Sequence, residues 1–350
     1  MSARPVADSP IFARDCEGIA RTDLPWERLR GARILVTGAS GMIPMHLVGA
    51  LAAADERHGL DLRLDLLVHS GLRARGKLGS LLEREGLRLI EGDVVTADLR
   101  GASYDRVYHG ASPARPALHS TDPASTLKAN ALGTLNLLDQ LVSAPGRFVL
   151  MSSSEVYGAQ PAEGLIAEDS YGPLDPYSVR ACYYEGKRIA ETSVAVYSAQ
   201  YGFSVLVVRF GHIYGPGMAL DDGRVQADFA ADVHAGRDIV LTGDGTAVRT
   251  YTYVTDAVAG LLTADLLGEA PIYNIADPQG AVTIRELADA FVAARPELDL
   301  RVRFAKGAPP KGVNVQRRLG LDPSRLLDLG WTPRVPLHEG VRRMVEALDE

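Results

Sequence analysis

The chain has 350 residues, 46% hydrophobic and 23% charged, a balance that rules out disorder over most of its length and allows one large domain or two modest ones. Lys and Arg number 37 against 44 Asp and Glu, and the net charge of −7 argues against a general nucleic-acid binder. Two cysteines build no disulfide framework, no apolar run reaches membrane-span length, and the N-terminus lacks a secretion signal, so a cytoplasmic protein with no membrane partner is expected.

Residues 1–30 read as an N-terminal extension with a short helix near Cys16–Thr22. Short apolar, β-rich runs then follow at Arg33–Val36, Leu64–Val68, Leu87–Ile90, Arg106–Tyr108, Phe148–Met151 and Val205–Val208. Helical patterns lie between them at Met45–Glu56, Thr126–Val142 and Val179–Tyr201. Strands alternating with helices predict an α/β fold, a Rossmann-type doubly wound parallel sheet covered on both faces. After Arg209 the rhythm changes, with clustered Gly and Pro and shorter helices at Asp256–Leu266, Ile284–Ala294 and Leu337–Leu348. The expected division is therefore a dinucleotide-binding domain over 31–209 and a smaller, mainly substrate-binding lobe over 210–350.

The first strand runs into Gly38-x-x-Gly41, and a helix follows. Such a turn lets the backbone approach a pyrophosphate, which the N–H groups and dipole of the helix favour. Many strand–helix turns use glycine for its conformation alone, so the position after the first strand of a parallel alternation carries the dinucleotide reading. Pro44 stands where a third glycine is expected, tolerable in a first helical turn. The second strand ends in Val68-His69-Ser70, with no acid for a ribose hydroxyl. Arg73 and Arg75 follow, as solvated loop residues or as partners of a 2′-phosphate, so NAD and NADP both stay open.

Tyr183 and Lys187 are four apart in a strongly helical stretch and share a face. A phenol is a poor base at neutral pH, and a nearby ammonium and a nicotinamide cation would favour its phenolate. On spacing alone an ordinary aromatic beside a surface lysine is the better reading, because such pairs are common. MSSSEVYG (Met151–Gly158) follows a buried strand, at the end where open parallel sheets bind ligands. Ser153 or one of its neighbours would donate a hydrogen bond to a reacting oxygen, and Glu155 would be a buried acid, a water-holder or a substrate contact. The other reading is a serine-rich turn with one solvated acid. No metal site is read from the sequence.

Together these residues resemble the extended short-chain dehydrogenase/reductase family, and within it the nucleotide-sugar enzymes, UDP-glucuronate decarboxylases above all. The resemblance runs from about Gly31 to the C-terminus, through TGASGMI, YHGASPA, SSSEVYG, RACYYEGKR, DGRV and GDGTAVRTYTYVTD. It implies Tyr183 as base, Lys187 as the group that depresses its pKa, Ser153 on the C4 oxygen and Glu155 as the acid of the decarboxylase branch. It implies NAD, with NADP not excluded, held by Gly38, Ser40, Gly41, Met42 and Ile43 at the pyrophosphate. Ser70, Arg73, Asp93 and Val94 would lie on the adenosine side, and Ala111 near the nicotinamide ribose. A nucleotide-diphosphate sugar would meet Ser112, Glu155, His212, Arg224 and Arg249, and a homodimer is implied through Thr126–Val142 and Val179–Tyr201. The 4,6-dehydratase relatives carry Asp-Glu where this chain has Ser154-Glu155, so simple dehydration is disfavoured. His212 replaces a usual Asn and Gly217 a usual Arg, so the sugar can differ from glucuronate. His212 is either a new proton donor or substrate contact, or a histidine that packs and hydrogen-bonds. The alternatives are a 4-epimerase, an NADPH-dependent 4-ketoreductase, and, from another class, a dinucleotide-sensing protein without catalysis.

Overall fold

The computed structural model describes residues 4–144, 146–160, 164–305 and 318–350, without the side chains of 318 and 319. Residues 1–3 of the expected extension and 306–317 of the expected lobe lie outside that description. Seven strands form one parallel sheet in the order Ile272–Ile275, Ser204–Phe210, Arg147–Ser153, Arg106–His109, Arg33–Thr37, Arg63–Val68, Leu87–Glu91. Their residues are almost wholly apolar at the centre, as a strand buried on both faces requires: Ile34, Leu35 and Val36 are all solvent-free. The chain winds one way from Arg33–Thr37 and then returns to its other side at Arg106–His109. That reversal opens a crevice between the C-terminal ends of these two strands.

The helices fall close to their expected places, at Met42–His58, Pro123–Leu141, Ala181–Tyr201, Val254–Leu267, Ile284–Ala293 and Leu337–Glu346. Two expectations shift. The N-terminal helix is Pro10–Ala20, not Cys16–Thr22, because Ser9 caps it by accepting from the N–H groups of Ile11 and Phe12, and Pro10 opens its first turn. It is also part of the core. A Cβ on Gly49 would lie 2.5 Å from Cys16 Sγ, so the helices Pro10–Ala20 and Met42–His58 touch at backbone distance. Asp15 accepts from Tyr253 Oη at 2.5 Å and Arg343 Nη1 at 2.7 Å, which ties this helix to the C-terminal part of the chain.

The second shift concerns the boundary at 209. Ile272–Ile275 is the seventh strand of the central sheet and pairs in register with Val207–Phe210. The chain therefore crosses back into the sheet that the expected boundary closes. Five of the remaining strands make a smaller sheet, Ala281–Thr283, Val248–Tyr253, Arg318–Leu321 and Gly164–Ile166 with His212–Tyr214 beside Val248–Tyr253, and Ile239–Leu241 pairs separately with Val302–Phe304. It is this small sheet, leaning over the strand ends, that makes the second wall of the crevice.

One carboxylate fastens the base of the central sheet. Asp265 on the helix Val254–Leu267 accepts from Arg106 Nε at 3.0 Å, Arg147 Nε at 2.5 Å and Tyr108 Oη at 2.6 Å, with its side chain fully buried. Removing it strands two guanidinium groups on adjacent strands. Asp265→Ala should lower unfolding free energy in urea by about 3–5 kcal/mol. A loss below about 1 kcal/mol, the scale of a surface pair, would contradict this account.

Candidate active site

The glycine turn sits at the crevice. Gly38 has φ +68°, and a Cβ there would stand 2.8 Å from Ala111 Cα and 2.9 Å from Gly110 O. Only glycine fits this meeting of two strand ends. The helix Met42–His58 starts at Gly41 with no side-chain cap, so its first N–H groups stay available to a ligand. Pro44 lies in the first turn, where its missing N–H leaves no bond unmade. The close packing expected of a third glycine is recovered across the gap. A Cβ on Gly110 would come within 2.8 Å of both Pro44 Cγ and Met151 Sδ.

The helix Ala181–Tyr201 meets the strand Arg147–Ser153 through residues spaced four apart. The Ser153 hydroxyl hydrogen-bonds the Tyr183 phenol. Lys187 Nζ donates to the Met151 carbonyl at 2.8 Å. Glu191 accepts from Ser152 Oγ at 2.5 Å and from Arg209 Nε and Nη2 at 3.0 and 2.6 Å. Helix and strand are thus fixed in register at three successive strand residues.

Burial pushes the Tyr183 phenol above its usual range, while the Ser153 hydroxyl and the Arg224 guanidinium pull it down and the charges of Glu155 and Asp222 push it up. The ammonium of Lys187 is held on the Met151 carbonyl, and Arg224 is the cation with the largest downward pull on the phenol. Burial lowers Lys187 itself to about 8, with the Glu191 charge opposing. Beneath them, Thr37 Oγ1 bonds His109 Nδ1 at 2.8 Å and His109 Nε2 meets Thr134 Oγ1 at 3.0 Å. Burial first, and Lys187 second, take His109 to about 3, a neutral ring in the floor.

A cleft of about 560 Å³ gathers Gly41, Met42, Ile43, Ser112, Ser153, Glu155, Tyr183, Lys187, His212, Arg224 and Arg249. Gly38 and Ala111 lie at its base, in mutual contact, and the Ser40 carbonyl accepts from Lys77 Nζ at 3.2 Å. Other expected residues stand outside its lining. Ser70 caps the helix Gly71–Leu78 by accepting from the Arg73 N–H, and Arg73 is exposed. Asp93 Oδ1 accepts from the Val95 N–H at 2.9 Å. Val94 is a buried packing residue, 2.7 Å from where a Cβ on Gly133 would be.

Glu155 is exposed, which removes its reading as a buried acid. His212 bonds the Thr250 backbone and tilts against Tyr251 at 5.6 Å. Burial first, then Arg249 and Arg224, bring it to about 4. It is therefore neutral near pH 7 and a poor proton donor. Arg224 is committed to both Asp222 oxygens at 2.8 and 3.0 Å and to the Ala114 carbonyl at 2.6 Å. It links the second wall to the loop after Arg106–His109.

Sequence reasoning missed Lys77, His119, Gln226 and Tyr251, all of which line the cleft. None belongs to a spacing rule. Gln226 follows the quoted DGRV segment and Tyr251 lies within GDGTAVRTYTYVTD, so their place in those segments was their one signal.

Lys187 yields a stability test. A drop from 10.5 to about 8 sets roughly 3 kcal/mol against its charged form in the fold. Between those two values the unfolded chain holds a proton that the folded chain has lost, so stability rises with pH there. Lys187→Met should keep or raise the urea midpoint at pH 7 and flatten that rise between pH 8 and 10.5. A midpoint clearly lower at pH 7 would mean that the bond to Met151 outweighs the burial cost.

The family model for the NAD dependent epimerase/dehydratase family matches residues 34–276. The chain is 34% identical over 316 residues to UDP-glucuronic acid decarboxylase 6 of Arabidopsis thaliana, covering 90% of this chain and 88% of the relative. Among solved structures, the dTDP-glucose 4,6-dehydratase of Streptomyces venezuelae, crystallised with NAD, is 28% identical with a TM-score of 0.75, covering 91% of this chain and 97% of that one. The UDP-glucose 4-epimerase of Thermotoga maritima, with UDP-glucose, is 25% identical with a TM-score of 0.75, covering 91% and 98%. On the match over residues 34–276 and the length of these alignments, the chain belongs to the NAD dependent epimerase/dehydratase family.

Proposed function

We propose that this protein is a nucleotide-sugar enzyme of the extended short-chain dehydrogenase/reductase class that works by transient oxidation at C4 of the sugar, with UDP-glucuronate decarboxylation as its reaction. The observation that carries this is the Tyr183 phenol, bonded to Ser153, one helical turn from the Lys187 ammonium in the crevice at the strand ends. The likeness to a UDP-glucuronic acid decarboxylase over 90% of the chain supports the choice of reaction.

The residues fit a nicotinamide dinucleotide. Gly38 leaves a cradle that a side chain would fill, and the uncapped N-terminus of Met42–His58 offers N–H donors to a pyrophosphate. Gly38, Ser40, Gly41, Met42 and Ile43 would hold that pyrophosphate; Ala111, Tyr183 and Lys187 would face the nicotinamide ribose. Ser70, Arg73, Asp93 and Val94 would border the adenosine. NAD is the first cofactor to test, and NADP the second, because Arg73 is exposed beside Ser70 with His69 where a ribose-binding acid would stand. When bound, the dinucleotide supplies a hydride acceptor that later returns the hydride.

The chain's own groups do the rest. Ser153 holds the C4 oxygen while Tyr183, as phenolate, takes the hydroxyl proton. The C4 ketone is then β to the C6 carboxylate. The C5–C6 bond breaks, CO2 leaves, and the electron pair moves onto the C4 oxygen as an enolate. Hydrogen bonds from Ser153 and the now protonated Tyr183 stabilise that oxygen. C5 takes up a proton, and Tyr183 returns its own to the C4 oxygen as the ketone is reduced. Glu155, Ser112, His212, Arg224 and Arg249 border the space for the sugar and its diphosphate.

A second reading, C4 epimerisation or 4-keto reduction, is favoured by Gly217. It lines the cleft with φ +85°, and a Cβ there would lie 2.7 Å from Met45 Cε. As a glycine it offers no cation of its own to a sugar carboxylate. For the assembly we propose a homodimer through Pro123–Leu141 and Ala181–Tyr201, which leave Leu127, Leu132, Ile189 and Val196 exposed. Two free, buried cysteines accord with a reducing, cytoplasmic compartment.

Incubation with UDP-glucuronate should release CO2 with no net change at the reduced-nicotinamide absorbance. Net NADPH consumption on a 4-keto sugar would install the reductase reading instead. Tyr183→Phe should cut turnover by at least about 100-fold, the scale of acid–base catalysis, while nucleotide-sugar affinity changes little. Unchanged turnover would remove Tyr183 as base.

A further inference from the structure

The cleft concentrates buried polar atoms that the protein itself leaves without a hydrogen bond. They are Ser112 Oγ, His119 Nε2, both amide atoms of Gln226, and Tyr251 Oη. Among the described residues only His46 Nε2 and Arg295 Nε share that state elsewhere. Folding an unpaired polar atom into the interior is unfavourable, so such a cluster marks places that a ligand completes.

His119 can be read furthest, because its tautomer follows from its partner. It hydrogen-bonds the backbone of Pro113. Proline has no N–H, so that backbone group is a carbonyl, and the imidazole must be the donor. Since Nε2 has no partner, the donor is Nδ1. A neutral imidazole carries one N–H, so Nε2 presents a bare lone pair. Burial, and the charges of Arg180 and Arg224, keep the ring neutral. A lone pair accepts. It cannot be satisfied by a diphosphate or a carboxylate, which at neutral pH also only accept. Its complement is an O–H or N–H.

The ring's place says which part of a ligand that is. The His119 imidazole lies flat on the Tyr183 phenol, with centroids 4.5 Å apart and planes 15° apart. It therefore stands at the reacting end of the cleft. We propose that His119 Nε2 accepts a hydrogen bond from a sugar hydroxyl neighbouring the one that Tyr183 deprotonates, and so selects a sugar with a free hydroxyl there and fixes which carbon faces the phenol. This rests on the nucleotide-sugar reading. The stack makes His119 a positioning residue for the Tyr183 ring, and the lone pair makes it a specificity residue for the sugar.

The test uses the full chain saturated with NADH and titrated calorimetrically with UDP and with UDP-glucuronate and UDP-glucose, two sugars that share the C3 hydroxyl next to C4. His119→Phe keeps a flat ring on Tyr183 and removes the lone pair. It should leave UDP affinity within about twofold and weaken both nucleotide sugars about five- to tenfold, the scale of one neutral hydrogen bond. His119→Gln, whose amide oxygen still accepts, should recover most of that loss, and it stands in if the Phe variant fails to fold. Equal weakening of UDP and the sugars, or no weakening of the sugars, overturns the proposal while leaving the nucleotide-sugar reading intact. Failure of the unaltered protein to bind any of the three overturns both.

Discussion

The site depends on a register between one helix and one strand. Tyr183, Lys187 and Glu191 form a single stripe on Ala181–Tyr201, and they engage Ser153, Met151 and Ser152 in turn. The 3.6-residue period of the helix makes the stripe, and the strand supplies three consecutive anchoring points. The central contact is the unusual one. A buried ammonium on a backbone carbonyl is an unfavourable place for a charge, and the fold tolerates it because the neighbouring Glu191–Arg209 pair holds the helix in place. Slipping the helix by one residue would rotate the phenol away from Ser153.

The crevice beside this register is shaped by what is missing from side chains. Gly38 allows two strand ends to meet, and Gly110 makes room for the ring of Pro44 and the sulfur of Met151. A proline in place of a glycine at the helix start would, alone, push helix and strand apart. Gly110, just past the end of the facing strand, leaves the room that the Pro44 ring takes up. On the opposite wall, Arg224 spends its hydrogen bonds within the protein and braces two loops. The unpaired polar atoms around it, from Ser112 to Tyr251, are left to a ligand. The division of labour is plain: charged groups mostly hold the walls, and neutral donors and acceptors face the space between.

The parallel sheet and most helices were legible because burial on both faces writes itself as continuous apolar runs, and covering helices as a 3.6 period. The seventh strand, Ile272–Ile275, was not. Four residues after a change of rhythm carry too little pattern, and only pairing with Ser204–Phe210 makes them part of the sheet. The N-terminal helix was placed too late because its apolar residues look local until Cys16 and Phe12 are seen against Gly49.

For the site, the sequence by itself determined the glycine turn, the Tyr183–Lys187 spacing and the serine turn at a strand end, since each is a local pattern of a few residues. Tertiary structure decided the rest. It brought the Arg224 charge to bear on the phenol, exposed Glu155, turned Ser70 into a helix cap, and brought His119 flat onto Tyr183 from 64 positions away. Electrostatic and stacking contacts depend on distance in space, and a distance between residues far apart in the chain is set by the fold.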